Sequence, residues 1–273
     1  MSDAPLVPAD PWTALRRHTP ARIALGRSGP ALPTREVLGF GLAHARARDA
    51  VHQALDADHL DGELRTGGYA PLRVHSATAD RATYLTRPDL GRRLDQASAA
   101  SLREAARASG APEVIVVIAD GLSALAVQRH AAPLLAALRE RRPARWSALP
   151  LVVALQGRVA LGDEIGERLG AALVVMMIGE RPGLSSPDSL GLYITRQPRV
   201  GLTDAARNCI SNVRPQGLAY AEAARKLDWL VGAALARGII GIGLKDESDA
   251  LPGPADTHAA TSQQQSSNEP ATD

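Results

Sequence analysis

The sequence predicts an α/β fold with a doubly wound, mostly parallel sheet and a smaller N-terminal helical region. Three apolar, β-branched-rich runs carry that prediction: 114–118 (VIVVI), 149–155 (LPLVVAL) and 172–178 (ALVVMMI). Uninterrupted runs of this length, separated by helical patterns, are what strands buried on both faces of a parallel sheet look like. Each ends in a glycine-bearing loop, at 119–123, 156–159 and 179–183. Right-handed crossovers put all three loops at one edge, where Rossmann-like sheets bind their ligands.

The elements follow in order. Residues 1–11 hold three prolines and read as a disordered leader. Residues 12–110 form a largely helical N-terminal region. In it, a short helix starts at Trp12 and stops by Pro20, and a long one runs over 34–55 with Thr34 as its cap. The stretch 56–82 is turn-rich, with one hairpin through Leu72, Arg73 and Val74. Pro88 ends a strand begun at Tyr84. A helix then covers 98–107 and is closed by Gly110.

The α/β domain spans 111–245, with helices at 123–141 and 161–169. A fourth strand falls at 191–195, and a last helix over 220–237 is stopped by Gly238. Residues 246–273 read as a disordered acidic tail.

Composition narrows the function classes. Hydrophobic residues are 45% of the chain and aromatics only 3%, so aliphatic side chains fill the core and a base-stacking surface is not expected. The single cysteine, Cys209, excludes an internal disulfide and fits a reducing compartment. Neither a membrane-length apolar stretch nor a signal pattern is present, so a cytoplasmic protein is expected. The tail from Asp246 carries six acids and no Lys or Arg, which leaves the rest strongly cationic. Nearly all of that charge is arginine, since Lys226 and Lys245 are the only lysines. Arginine suits carboxylate, phosphate and interface pairing, and no nucleic-acid-binding motif accompanies it.

Several motifs dissolve on inspection. The run 238–246 (GIIGIGLKD) has phosphate-loop glycines, but Leu244 stands where lysine is required; a helix stop and a short apolar strand explain it better. Gly162, Gly166 and Gly170 are four apart, as close packing of a helix on the sheet requires. No dinucleotide fingerprint, no Gly-x-Ser-x-Gly and no Cys/His metal spacing is present. Asp120 and Ser123 lie at a strand end and could serve catalysis, but a helix cap is the commoner use. Cys209 lacks an adjacent base, and a lone cysteine is usually a small buried hydrophobe. Glu180 sits between Gly179 and the rigid Arg181-Pro182-Gly183. It can accept hydrogen bonds from a ligand, or it can merely pair with Arg181.

At these loops a family resemblance enters. The segments 86–94 (TRPDLGRRL), 120–123 (DGLS), 179–184 (GERPGL) and 207–212 (RNCISN) resemble the small, or light, subunit of ethanolamine ammonia-lyase. So do 21–27 (ARIALGR) and 44–49 (HARARD), and the likeness runs from about Trp12 to Leu244.

The resemblance implies a lyase that turns ethanolamine into acetaldehyde and ammonia by radical chemistry on adenosylcobalamin. It implies a large subunit that holds the substrate, in a hetero-oligomer with equal numbers of both chains, a dodecamer. It also implies contacts to the cobalamin from Val159, Glu180 and Cys209, with no catalytic residue and no cobalt ligand from this chain. The corrin's side-chain amides donate and accept hydrogen bonds, so a carboxylate and loop backbone groups suit them. Some members carry an N-terminal extension that targets a bacterial microcompartment, and the leader here is short.

The only near match to a lower-ligand histidine loop is at Asp256 and His258. It lacks the final glycine, which leaves the cofactor's own benzimidazole for that role. Seven arginines (Arg16, Arg17, Arg22, Arg27, Arg35, Arg46 and Arg48) crowd the N-terminal third, which reads as an interface, with a solvated surface as the alternative for any one of them. The rival expectations are a free-standing α/β enzyme using Asp120 or Glu180 as a base, and a non-catalytic scaffold.

Overall fold

A computed structural model describes residues 10–249. The leader as far as residue 9, the tail from residue 250 and the His258 loop lie outside the described residues. Eight α-helices are described: α1 (Thr34–His52), α2 (Ala57–Thr66), α3 (Arg81–Thr86), α4 (Gln96–Ser109), α5 (Ala124–Arg141), α6 (Pro143–Trp146), α7 (Leu161–Leu169) and α8 (Tyr220–Arg237). The strands are β1 (Leu72–His75), β2 (Val114–Ala119), β3 (Leu151–Leu155), β4 (Leu173–Gly179), β5 (Leu190–Arg196) and β6 (Arg207–Val213). They form one sheet in the order β1–β3–β2–β4–β5–β6.

The fold is α/β, as expected, but the sheet is mixed. Strands β1, β3, β2 and β4 are mutually parallel. β5 runs antiparallel to β4, and β6 antiparallel to β5. The reason is the connection. A parallel return needs a crossover of a dozen residues or more, usually a helix, and the segment between Gly179 and Leu190 is a short loop that allows only reversal.

Both faces carry a core. On one, Val116, Ile118, Val175 and Leu192 meet Leu134 of α5 and Leu227 of α8. On the other, Val117, Val152, Val174 and Met176 meet Leu102 of α4 and Ile165 of α7. The glycine stripe on α7 packs on the sheet as expected: a Cβ on Gly166 would stand 2.3 Å from Val174 and 2.5 Å from Pro198. The second face is covered over β1 to β4, whereas Cys209 and Ser211 on β6 are exposed.

Several local expectations change. The segment at Leu72 is a parallel edge strand rather than a hairpin. Tyr84 lies in a helix rather than a strand, because Asp80 caps α3 by accepting the Thr83 N–H at 2.7 Å. The residue at the α1 cap position is Pro33, and Thr34 makes no capping bond. The helix at Trp12 is a 3₁₀ helix, Pro11–His18, capped by Asp10. Residues 241–243 form a 3₁₀ turn rather than a strand. The acidic tail begins in an ordered way: Asp246 and Asp249 pair with Lys226 at 3.2 and 2.7 Å, and Glu247 pairs with Arg237 at 3.2 Å.

Candidate functional site

Because β2, β3 and β4 are parallel, their three C-terminal loops do meet at one edge. The first two are locked together by Asp120. Its carboxylate is almost fully buried; it accepts the Gly157 N–H at 3.2 Å and the Arg81 guanidinium at 3.3 Å. Burial pushes the Asp120 carboxyl up to about 6, with Arg81 and the loop amides opposing. It faces inward as a clamp, which serves neither the helix cap nor the alternative catalytic use.

Ser123 is the cap of α5, as the commoner reading has it: its Oγ accepts the Ala126 N–H at 3.2 Å and donates to the Pro187 carbonyl at 2.8 Å. Gly121 lies at φ +55°, and a Cβ there would sit 2.3 Å from the Gly179 carbonyl oxygen. The first and third loops are therefore in backbone contact.

Glu180 is held from two sides. Its Oε2 accepts the Ser189 hydroxyl and, at 3.2 Å, the Asn212 N–H. Asn212 takes a left-handed conformation, φ +61°, which asparagine tolerates better than most residues. The carboxylate lies over Gly191, where a Cβ would stand 2.9 Å from Oε1. Among the described residues Oε1 accepts no hydrogen bond, and no ion pair joins Glu180 to Arg181. The alternative of a local charge pair is thus replaced by a fixed carboxylate with one open oxygen.

Cys209 is exposed, not buried, with its sulfur 3.3 Å from the Ser211 hydroxyl oxygen. It sits opposite Tyr193 across the β5–β6 ladder. Tyr193 connects the parts: burial pushes its phenol up, and Cys209, Glu180 and Asp204 add to the rise. Tyr193 and Val159 pack at the margin of the same face of the core. Both also line an open cleft of about 700 Å³ bounded by the Arg92–Arg93 turn, the start of α7 and the 200–204 loop. Tyr193 thus shares the cleft with Val159 and the ladder with Cys209, and Glu180 lies over Gly191, two residues before it on the strand.

The comparisons with known proteins give the family. The family model described as ethanolamine ammonia-lyase light chain (EutC) matches residues 9–245. The chain belongs to the ethanolamine ammonia-lyase light chain family. It is 59% identical over 245 residues to the ethanolamine ammonia-lyase small subunit of Ralstonia nicotianae, covering 89% of this chain and 91% of that one. The Azotobacter vinelandii small subunit is 59% identical over 251 residues, covering 91% and 93%. The Pseudomonas fluorescens one is 57% identical over 250 residues, covering 91% of each. A light chain is one part of a lyase with a large subunit, so its surfaces serve an assembly.

Sequence reasoning missed Tyr193 and Ser189 in this light chain. Both lie on or just before β5, and only the antiparallel register brings them beside Cys209 and Glu180. The Gly-Leu-Tyr alternation was the available signal. Among the described residues no helix is long and apolar enough to cross a membrane.

Proposed function

We propose that this chain, as the small subunit, helps hold adenosylcobalamin against the large subunit of an ethanolamine ammonia-lyase. One observation carries the reading: Tyr193 shares a cleft with Val159 and pairs with Cys209 across the ladder, while the Glu180 carboxylate lies over Gly191, two residues before Tyr193 on β5. The residues fit the group. Glu180 offers an open carboxylate oxygen to a corrin amide, while Ser189 and Asn212 keep it from turning away. Val159 gives apolar contact at the cleft, and Cys209 gives a small, soft surface to pack on. The bound cofactor supplies the radical that takes hydrogen from ethanolamine, giving acetaldehyde and ammonia. This chain's part is to bind and orient.

Region 12–110 serves as the subunit interface. Along α1 only Ala50 is buried, while Val37, Leu38, Phe40 and Leu42 are all about half exposed or more. A helix this apolar on its open side calls for a covering partner. The parallel strands β2, β3 and β4, edged by β1 from the preceding region and with helices over both faces, serve as the doubly wound half of the 111–245 domain. Equal numbers of both subunits, as a dodecamer, fit a chain that cannot work alone. An exposed free cysteine favours a cytoplasmic setting.

The test is to purify the chain alone and with its large subunit and assay acetaldehyde from ethanolamine with adenosylcobalamin. Activity and red cobalamin retained through gel filtration are expected of the pair only. Activity of the isolated chain, or none from the pair, overturns the reading.

A further inference from the structure

Four arginines line the cleft that Val159 enters, and Arg207 among them is already bound by Asp163 and Asp204, which leaves three. Arg92 and Arg93 belong to the turn after Gly91, and Arg158 directly precedes Val159. The acids of the same wall are already committed: Asp89 takes both arms of Arg87, at 2.9 and 2.7 Å, and Asp204 pairs with Arg207 at 3.3 Å. Among the described residues Arg92 and Arg93 have no side-chain hydrogen bond or ion pair.

Arg158 is aimed by its surroundings. Its guanidinium lies 4.2 Å from the Tyr84 ring centroid and donates to the Tyr84 carbonyl at 2.9 Å, yet its Nε is buried without a partner. Gly91 makes room for this stack, since a Cβ there would stand 2.9 Å from the Arg158 side chain. The backbone N–H groups of Val159 and Ala160, just ahead of α7, add two donors with no backbone partner among the described residues. Unneutralised guanidinium groups beside free amides are what a phosphate-type anion needs, and arginine matches it with two parallel donors.

We propose that Arg92, Arg93 and Arg158 form an anion subsite that takes the phosphodiester in the nucleotide tail of the cobalamin. The proposal rests on the cofactor reading above. The competing occupant is a carboxylate patch on the large subunit.

The experiment uses the assembled complex and equilibrium dialysis against two ligands, cyanocobalamin and cobinamide. Cobinamide has the corrin but neither phosphodiester nor nucleotide. Replacing both residues, Arg92→Ala with Arg93→Ala, is expected to weaken cyanocobalamin binding by about ten- to hundredfold, as loss of charge-assisted hydrogen bonds does. Cobinamide binding should change by less than about twofold, and Arg92→Lys with Arg93→Lys should recover part of the loss. An equal loss for both ligands, an unchanged cyanocobalamin affinity, or loss of the large subunit from the complex would overturn the subsite. A wild-type complex that takes up neither ligand instead overturns the cofactor reading, and the subsite with it.

Discussion

Ser189 and Glu180 hold each other twice: the Ser189 hydroxyl donates to the Glu180 carboxylate, and the Glu180 backbone N–H donates to the Ser189 carbonyl at 2.9 Å. One residue therefore sets both the backbone and the side chain of the carboxylate assigned to the cofactor. Glu180→Gln should keep the fold and the subunit complex but weaken cobalamin binding about ten- to hundredfold, with Glu180→Ala at least as severe. Ser189→Ala should cost about three- to tenfold, and Ser189→Thr should recover most of it. The double variant should lose less than the two singles combined, because the residues act as one unit. Titration of the reconstituted complex with adenosylcobalamin reads all five, and a shift below about twofold for Glu180→Gln returns it to an ordinary surface acid.

Asp120 gives a pH signature. Its folded value, raised by burial from 3.8 to about 6, means that the native state holds the proton more tightly than the unfolded chain. The stability this contributes is fully present below about pH 4 and is lost as pH rises through about 6. Asp120→Asn removes the titration and keeps an acceptor for the Gly157 N–H. Wild-type stability minus that of the variant should fall by about 2 kcal/mol between pH 4 and 7. Urea unfolding at a series of pH values measures it, and a flat difference contradicts the assignment.

Gly166→Ala should destabilise the α/β core by about 1–3 kcal/mol, since the new methyl would overlap Val174 and Pro198. Gly39→Ala on α1 meets nothing within 4 Å and should be neutral or slightly stabilising. Thermal unfolding of the two side by side tests the packing role of the glycine stripe.

Deleting residues 1–33 should abolish co-purification with the large subunit and leave the core folded. A milder variant, Leu38→Asp, alters a side chain 67% exposed and should weaken the complex without moving the melting temperature of the free chain. Full retention of the complex by both variants would defeat the interface assignment.

The parallel centre of the fold was legible because β2, β3 and β4 are buried on both faces and read as unbroken apolar runs. β6 was not. Its sequence, Arg-Asn-Cys-Ile-Ser-Asn-Val, buries Ile210 and Val213 on one side and leaves Cys209 and Ser211 open on the other. That half-covered strand looks like a loop to any search for apolar runs. The direction of β5 was equally hidden in its residues, and lay instead in the length of the loop before it. Glu180 stood out through its glycine-proline setting. Its partners Ser189 and Asn212 did not, because they come near only through the ladder. Asp56 and Asp80 could have signalled α2 and α3, since each accepts a backbone N–H three residues on.

The reversal at β5 also bears on how the molecule assembles. Glu180, Ser189, Tyr193, Cys209 and Asn212 all come from one uninterrupted meander from β4 to β6, whose pairings join near neighbours in the chain. Contacts of low sequence separation close cheaply and early, whereas β1 and β3 must wait for long crossovers. The sheet half assigned to the ligand can thus form as a local folding unit, and of the three assigned residues only Val159 comes from the slower, wound half.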